Sequence, residues 1–127
     1  MSKTTTRIPH AAVATTELTP APIPPEDVIS GNPEGSWALL WHSDDYTHYN
    51  GIWRCTPGVF YLTHPGETIT CLEGSATITP DGGEPVVVRA GDLAFLPEGM
   101  RAKWEVHETV LKTFHSHDST GTLIADL

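Results

Sequence analysis

The chain has 127 residues, enough for one domain. Hydrophobic residues make up 39% and charged residues 18%, with 11 Gly and 11 Pro. Sixteen acidic against seven basic residues leave a formal charge of −9, which excludes phosphate neutralisation on nucleic acid and docking to anionic membranes as leading functions.

Residues 1–25 are rich in Thr, Ala and Pro, with Pro20, Pro22, Pro24 and Pro25 nearly consecutive. Proline lacks a backbone donor and restrains the residue before it, so neither a helix nor a central strand is expected there. Residues 1–29 therefore read as a flexible Pro/Thr-rich arm, with an arm laid across a partner subunit as the alternative. The same stretch lacks the apolar segment of a secretory leader. No run in the chain approaches the roughly 18 apolar residues of a membrane helix. Cys55 and Cys71 are the only cysteines. Two thiols make no disulfide framework, so a cytoplasmic protein with reduced thiols is expected, a single intramolecular bridge being the alternative.

From Ser36 onward short β-branched and aromatic runs alternate with turn residues. Strands are predicted in turn at Trp37–Trp41, Ile52–Cys55, Val59–Leu62, Thr68–Leu72, Ser75–Thr79, Pro85–Arg89, Leu93–Leu96, Arg101–Val106 and Val110–His115. About ten short strands at this spacing predict a sandwich or barrel. No stretch holds a 3.6-residue period long enough to build a helical layer. Asp81-Gly82-Gly83 suits a tight hairpin between Ile78 and Val86, because these residues tolerate positive φ. The fold class is all-β, with residues 30–127 as one domain.

Two glycine-bounded segments stand out. In Gly58–Gly74 the spacing of Gly58 and His64 is G-x5-H, and that of Glu67 and Gly74 is E-x6-G. In Gly91–Gly99, Gly91, Pro97 and Gly99 give G-x5-P-x-G, and sixteen residues separate the two segments. The pattern resembles the cupin superfamily, which implies a jelly-roll β-barrel. The run Gly51–Gly58, the Leu72-Glu73-Gly74 and Gly91-Asp92 turns, and the Trp104–Val106 and Val110–Lys112 strands resemble the small cupins grouped with the (S)-ureidoglycine aminohydrolase cupin domain.

The resemblance implies a lumen metal held by three His and one Glu, a donor set suited to Mn, Fe, Ni or Zn. Here the set is degenerate. Glu67 keeps its spacing, and His64 stands for the first histidine, but Gly66 falls at the second position and Ala102 at the third. His115 and His117, two apart on the last strand, share a face. If that face is the lumen, His115 joins His64 and Glu67 in a rebuilt metal site; the alternative leaves both in solvent at the C-terminal end. His42, His48 and His107 read as surface residues.

Strand alternation places Ile69 and Cys71 on the face of Glu67, with Cys71 read as a small buried hydrophobe rather than a nucleophile. Lys112, if inward, pairs with Glu67 or binds an anion as a point charge; the alternative is an outward lysine. The candidate ligand-binding residues of the lumen are Glu67, Cys71, Trp53, Tyr61, Phe95, Trp104 and Lys112. The candidate metal ligands are His64, Glu67 and His115, holding one divalent transition metal or none. Two functions follow from the resemblance. One is a small cupin of the ureidoglycine-aminohydrolase-like branch that binds a small polar metabolite. The other is a metal-dependent enzyme, an aminohydrolase, isomerase or dioxygenase, with a rebuilt site. A homodimer covering exposed sheet edges is expected with either.

Overall fold

In the computed structural model, residues 7–127 are described; residues 1–6 of the expected arm lie outside the described residues. Nine strands follow one another: β1 (Thr19–Pro20), β2 (Val28–Gly31), β3 (Gly35–His42), β4 (His48–Cys55), β5 (Gly58–Thr63), β6 (Gly66–Pro80), β7 (Val86–Arg89), β8 (Leu93–Leu96) and β9 (Arg101–His117). A single 3-10 turn at Pro25–Asp27 is the helical content of the described residues. All pairings are antiparallel, and they form one curled sheet. This is a single-domain jelly roll, as the sequence predicts.

Two long strands make the barrel. β6 and β9 pair along nearly their whole lengths, from Gly66 opposite His117 to Pro80 opposite Ala102. On its other edge β9 pairs first with β5, through Val106, and then with β4, from Val110. β8 extends the first half of β6 and β7 the second. The sheet thus divides into two halves that share β6 and β9 and face each other across the core. Phe60, Ile78 and Trp104 come from one half, and Ile69 and Phe114 from the other.

The bend between the halves explains why four predicted strands became two. Thr68–Leu72 and Ser75–Thr79 are one continuous strand, as are Arg101–Val106 and Val110–His115. The register slips at Cys71–Glu73 and again around Ser75. There Gly74 takes φ +80°, and an added Cβ would collide with the Thr109 carbonyl. Glycine alone lets the two backbones approach so closely while the chain turns. The Asp81–Gly83 turn forms as predicted, with Gly82 at φ +72° and Gly83 N–H donating to the Pro80 carbonyl at 2.9 Å.

The N-terminal segment differs from the expected flexible arm. Thr19 pairs with Trp37 and Val28 with Phe60, while Ile23 is buried in the core. Two-residue and four-residue strands at sheet edges tolerate the prolines between them, because an edge needs only alternate backbone bonds. Ala11 and Val13 lie over the outer side of β3, β4 and β9, where they border a depression with Ile52 and Thr113.

Candidate functional site

Alternation along β6 and β9 sets the lumen. Glu67, Ile69 and Cys71 are buried while Thr68 is exposed, and on β9 Val110, Lys112, Phe114 and Ser116 are buried while His115 and His117 are exposed. Register places Cys71 opposite Lys112 and Glu67 opposite Ser116. Three ionisable side chains, Lys112, Glu67 and His64, therefore meet inside a largely apolar barrel. Lys112 is 4% exposed, Glu67 6% and His64 5%.

The three form a continuous hydrogen-bonded chain. Lys112 Nζ donates to Glu67 Oε1 at 2.9 Å, and His64 Nδ1 lies 3.2 Å from Glu67 Oε2. The indole of Trp104 donates from Nε1 to His64 Nε2 at 2.9 Å. An indole N–H can only donate, so Nε2 is the accepting nitrogen and Nδ1 carries the hydrogen given to Glu67. The Lys112 ammonium also lies 4.6 Å from the Trp53 ring centre and 4.9 Å from that of Trp104, within cation–π range. Burial pushes the Glu67 carboxyl up, but the Lys112 charge and the His64 hydrogen bond outweigh it and hold the group down at about 2.

Above this chain lies a cavity of about 160 Å3 that opens to solvent. Trp37, Tyr49, Trp53 and Phe114 form its aromatic wall, and His64, Glu67 and Lys112 its polar part. The wall is packed ring on ring: Trp37 stacks on Phe114 at 6.5 Å, and Tyr49 meets Phe114 edge-on at 6.2 Å. Burial raises the Tyr49 hydroxyl to about 12, so it stays a hydrogen-bonding phenol at the cavity edge.

Among the candidate ligand-binding residues, Glu67, Trp53 and Lys112 line the cavity, and Trp104 lies beneath it. Cys71 is buried away from the cavity, its Sγ 3.3 Å from the Glu73 carbonyl, and burial pushes its thiol up. Cys55 and Cys71 are both free thiols. Tyr61 and Phe95 stand elsewhere. Tyr61 stacks under the Arg101 guanidinium at 3.8 Å on the outer surface, and Phe95 is 66% exposed, because its register partner is the outward Thr68.

His64 and Glu67 meet, but His115 does not join them. It shares parity with His117, opposite to Lys112, and so points outward, where Asn50 Nδ2 lies 3.3 Å from its Nδ1. Among the cavity residues that the candidate set did not contain are Trp37, Tyr49, Phe114 and Ser116. The signal was present for Ser116: once Lys112 is inward, Phe114 and Ser116 follow at two-residue steps.

This architecture defines a small cupin. A family model for the EutQ-like cupin domain matches residues 42–114, more than half of the chain, and the chain belongs to that family. No curated protein matches it. Among solved structures it is similar to a protein of unknown function of the DUF861 family from Pseudomonas syringae pv. tomato. The TM-score is 0.71 and the identity 27%, over 80% of this chain and 44% of that one. The chain thus spans less than half the length of that relative. It also shares its fold with the EutQ protein of Clostridium difficile, with a TM-score of 0.63 and 16% identity over 83% and 82% of the two chains. The Cnp3 cupin domain of Schizosaccharomyces pombe shares the fold as well, with a TM-score of 0.65 and 12% identity over 88% and 76%.

The residues present do not fit the lumen metal that the cupin resemblance implies. The His64 Nε2 lone pair is taken by Trp104, and its Nδ1 carries the hydrogen given to Glu67, so the ring has no free nitrogen for a metal. The position of the third histidine is the wholly buried Ala102. Lys112 places a fixed positive charge 2.9 Å from the one carboxylate, where it would repel a metal cation. No helix among the described residues is long and apolar enough to cross a membrane.

Proposed function

We infer that the barrel cavity binds a small polar metabolite, through a group that accepts from Lys112 and donates to Glu67. The observation that carries this reading is the buried Lys112–Glu67 pair beneath an open aromatic cavity. A buried ion pair is weak evidence for stability, so its position at the base of a cavity supports a binding role. The volume of about 160 Å3 resembles cavities of about 150 Å3 that take a benzene-sized molecule. An amide or ureido group fits both size and polarity. Such a substrate class agrees with the resemblance to the ureidoglycine-aminohydrolase-like branch. The donor set favours binding over the metal-dependent alternative.

The test is thermal unfolding of the chain with acetamide, methylurea, urea and, as a charged comparison, glycine, for the parent and for Glu67→Gln. A ligand at about one hundred times its Kd stabilises by about 2.7 kcal/mol. At least one amide or ureido compound should raise the parent Tm, and the shift should shrink in Glu67→Gln. A shift of the same size in both proteins, or no shift with any compound, would refute the reading.

A further inference from the structure

Three histidines that the lumen does not use stand together on the outside of the barrel. His48 at the start of β4 is the register partner of His117 at the end of β9, and His115 lies two residues back on the same strand. All three are exposed. The His48 ring centre is 4.7 Å from that of His117 and 6.0 Å from that of His115. With Thr68, Phe95 and Glu98 they line an open depression of about 290 Å3.

We propose that His48, His115 and His117 form a site for one Zn2+ or Ni2+ ion on this outer face. Imidazole suits these ions, and two histidines at i and i+2 with a third across the strand pair supply three ligands from one rigid sheet. Zinc–nitrogen bonds of about 2.0–2.1 Å require ligating nitrogens about 3.3 Å apart. As they stand His48 stacks on His117 and is tilted against His115, and among the described residues no three ligating groups converge on a point. Exposed rings change rotamer within nanoseconds, so convergence needs only side-chain rotation on a fixed backbone. The formal charge of −9 favours uptake of a cation.

The surroundings of two rings already resemble an outer shell. Glu98 Oε2 accepts from Ser119 N–H at 2.9 Å and from its hydroxyl at 2.6 Å, which leaves Oε1 3.6 Å from His117 Nδ1. Asn50 stands against His115 Nδ1, and its Oδ1 is buried without a partner. A half-turn of that amide puts Oδ1 on the ring's Nδ1–H. Both rings then keep Nε2 for the ion, and carboxylate or carbonyl partners at Nδ1 are the usual way a metal-bound histidine is oriented.

The experiment is calorimetric titration of the untagged full chain with Zn2+ and with Ni2+, and retention on an immobilised-nickel resin. One ion per chain is expected, with binding lost in the His115→Ala, His117→Ala double variant and weakened about 10–100-fold in Asn50→Ala. His107→Ala, which removes an exposed histidine from the other half of β9, should bind as the parent does. Imidazole 15N shifts of the parent on zinc addition require no variant; three rings should move and His64 should not. The proposal is overturned by the absence of saturable uptake, by equal uptake in the double variant, or by a shift at His64.

Discussion

Replacing Lys112 with Met removes one member of a buried pair and leaves the other. In the parent, burial favours the neutral Glu67 carboxyl, yet Lys112 and His64 hold it at about 2 against 4.5. At 1.36 kcal/mol per unit this is worth about 3 kcal/mol. That stabilisation is complete above the unfolded value of 4.5 and is lost as the pH falls toward about 2. In Lys112→Met burial is no longer opposed by the ammonium, so the carboxyl titrates above its ordinary value. The variant therefore loses stability as the pH rises through that raised value, the opposite sign. Breaking a buried pair costs about 3–5 kcal/mol, which lowers Tm by about 10–20 °C in a chain of this size. Urea unfolding followed by tryptophan fluorescence at pH 5 and pH 7 measures both effects. The gap between parent and variant should be wider at pH 7, and adding Glu67→Gln should recover much of it. A loss under about 1 kcal/mol with the same gap at both pH values would mean that the pair behaves as a solvated surface pair, and the buried-site argument would fail.

Two further outcomes follow from the fold. Gly74→Ala forces a Cβ toward the Thr109 carbonyl at a positive φ, so chemical denaturation should show a loss of at least about 3 kcal/mol. Deletion through Pro25 removes Ile23 from the core and the β1 pairing; circular dichroism should keep its β signature while stability drops by about 2–3 kcal/mol, the value of one buried Ile with its neighbours.

The barrel itself was legible because strand alternation and turn chemistry are local. Leu93–Leu96 has the predicted bounds, and the Asp81–Gly83 turn forms where two glycines permit it. Fusion of four predicted strands into β6 and β9 was not legible. Leu72-Glu73-Gly74 reads as a turn, and only the close approach to Thr109 shows that it is a bend within a strand. The N-terminal segment misled for a related reason, since proline removes donors but an edge strand needs few. For the site, spacing from Gly74 and Gly58 led to Glu67 and His64. The His115 assignment conflicted with an inward Lys112, because residues three apart on a strand face opposite ways. The Trp104–His64 hydrogen bond joins residues 40 apart in sequence, a separation that no local pattern reports.

The balance of charge in the lumen limits what it can take. Lys112 and Glu67 cancel, and both are almost wholly removed from water. A free carboxylate would have to compete with Glu67 for the ammonium and would bring a second negative charge to within a few ångströms of the first. An ammonium ligand meets the converse problem at Lys112. A neutral group with one acceptor and one donor avoids both costs. Its carbonyl accepts from an N–H that Lys112 does not give to Glu67, and its N–H donates to a lone pair that Glu67 retains. Each such bond to a charged partner contributes about 1.5–3 kcal/mol, with no net charge carried into the barrel. Amide and ureido groups meet this requirement in a planar shape suited to the aromatic wall that Trp53 and Phe114 give the cavity. Under the proposed function, the Lys112–Glu67 pair therefore favours uncharged polar ligands over charged ones.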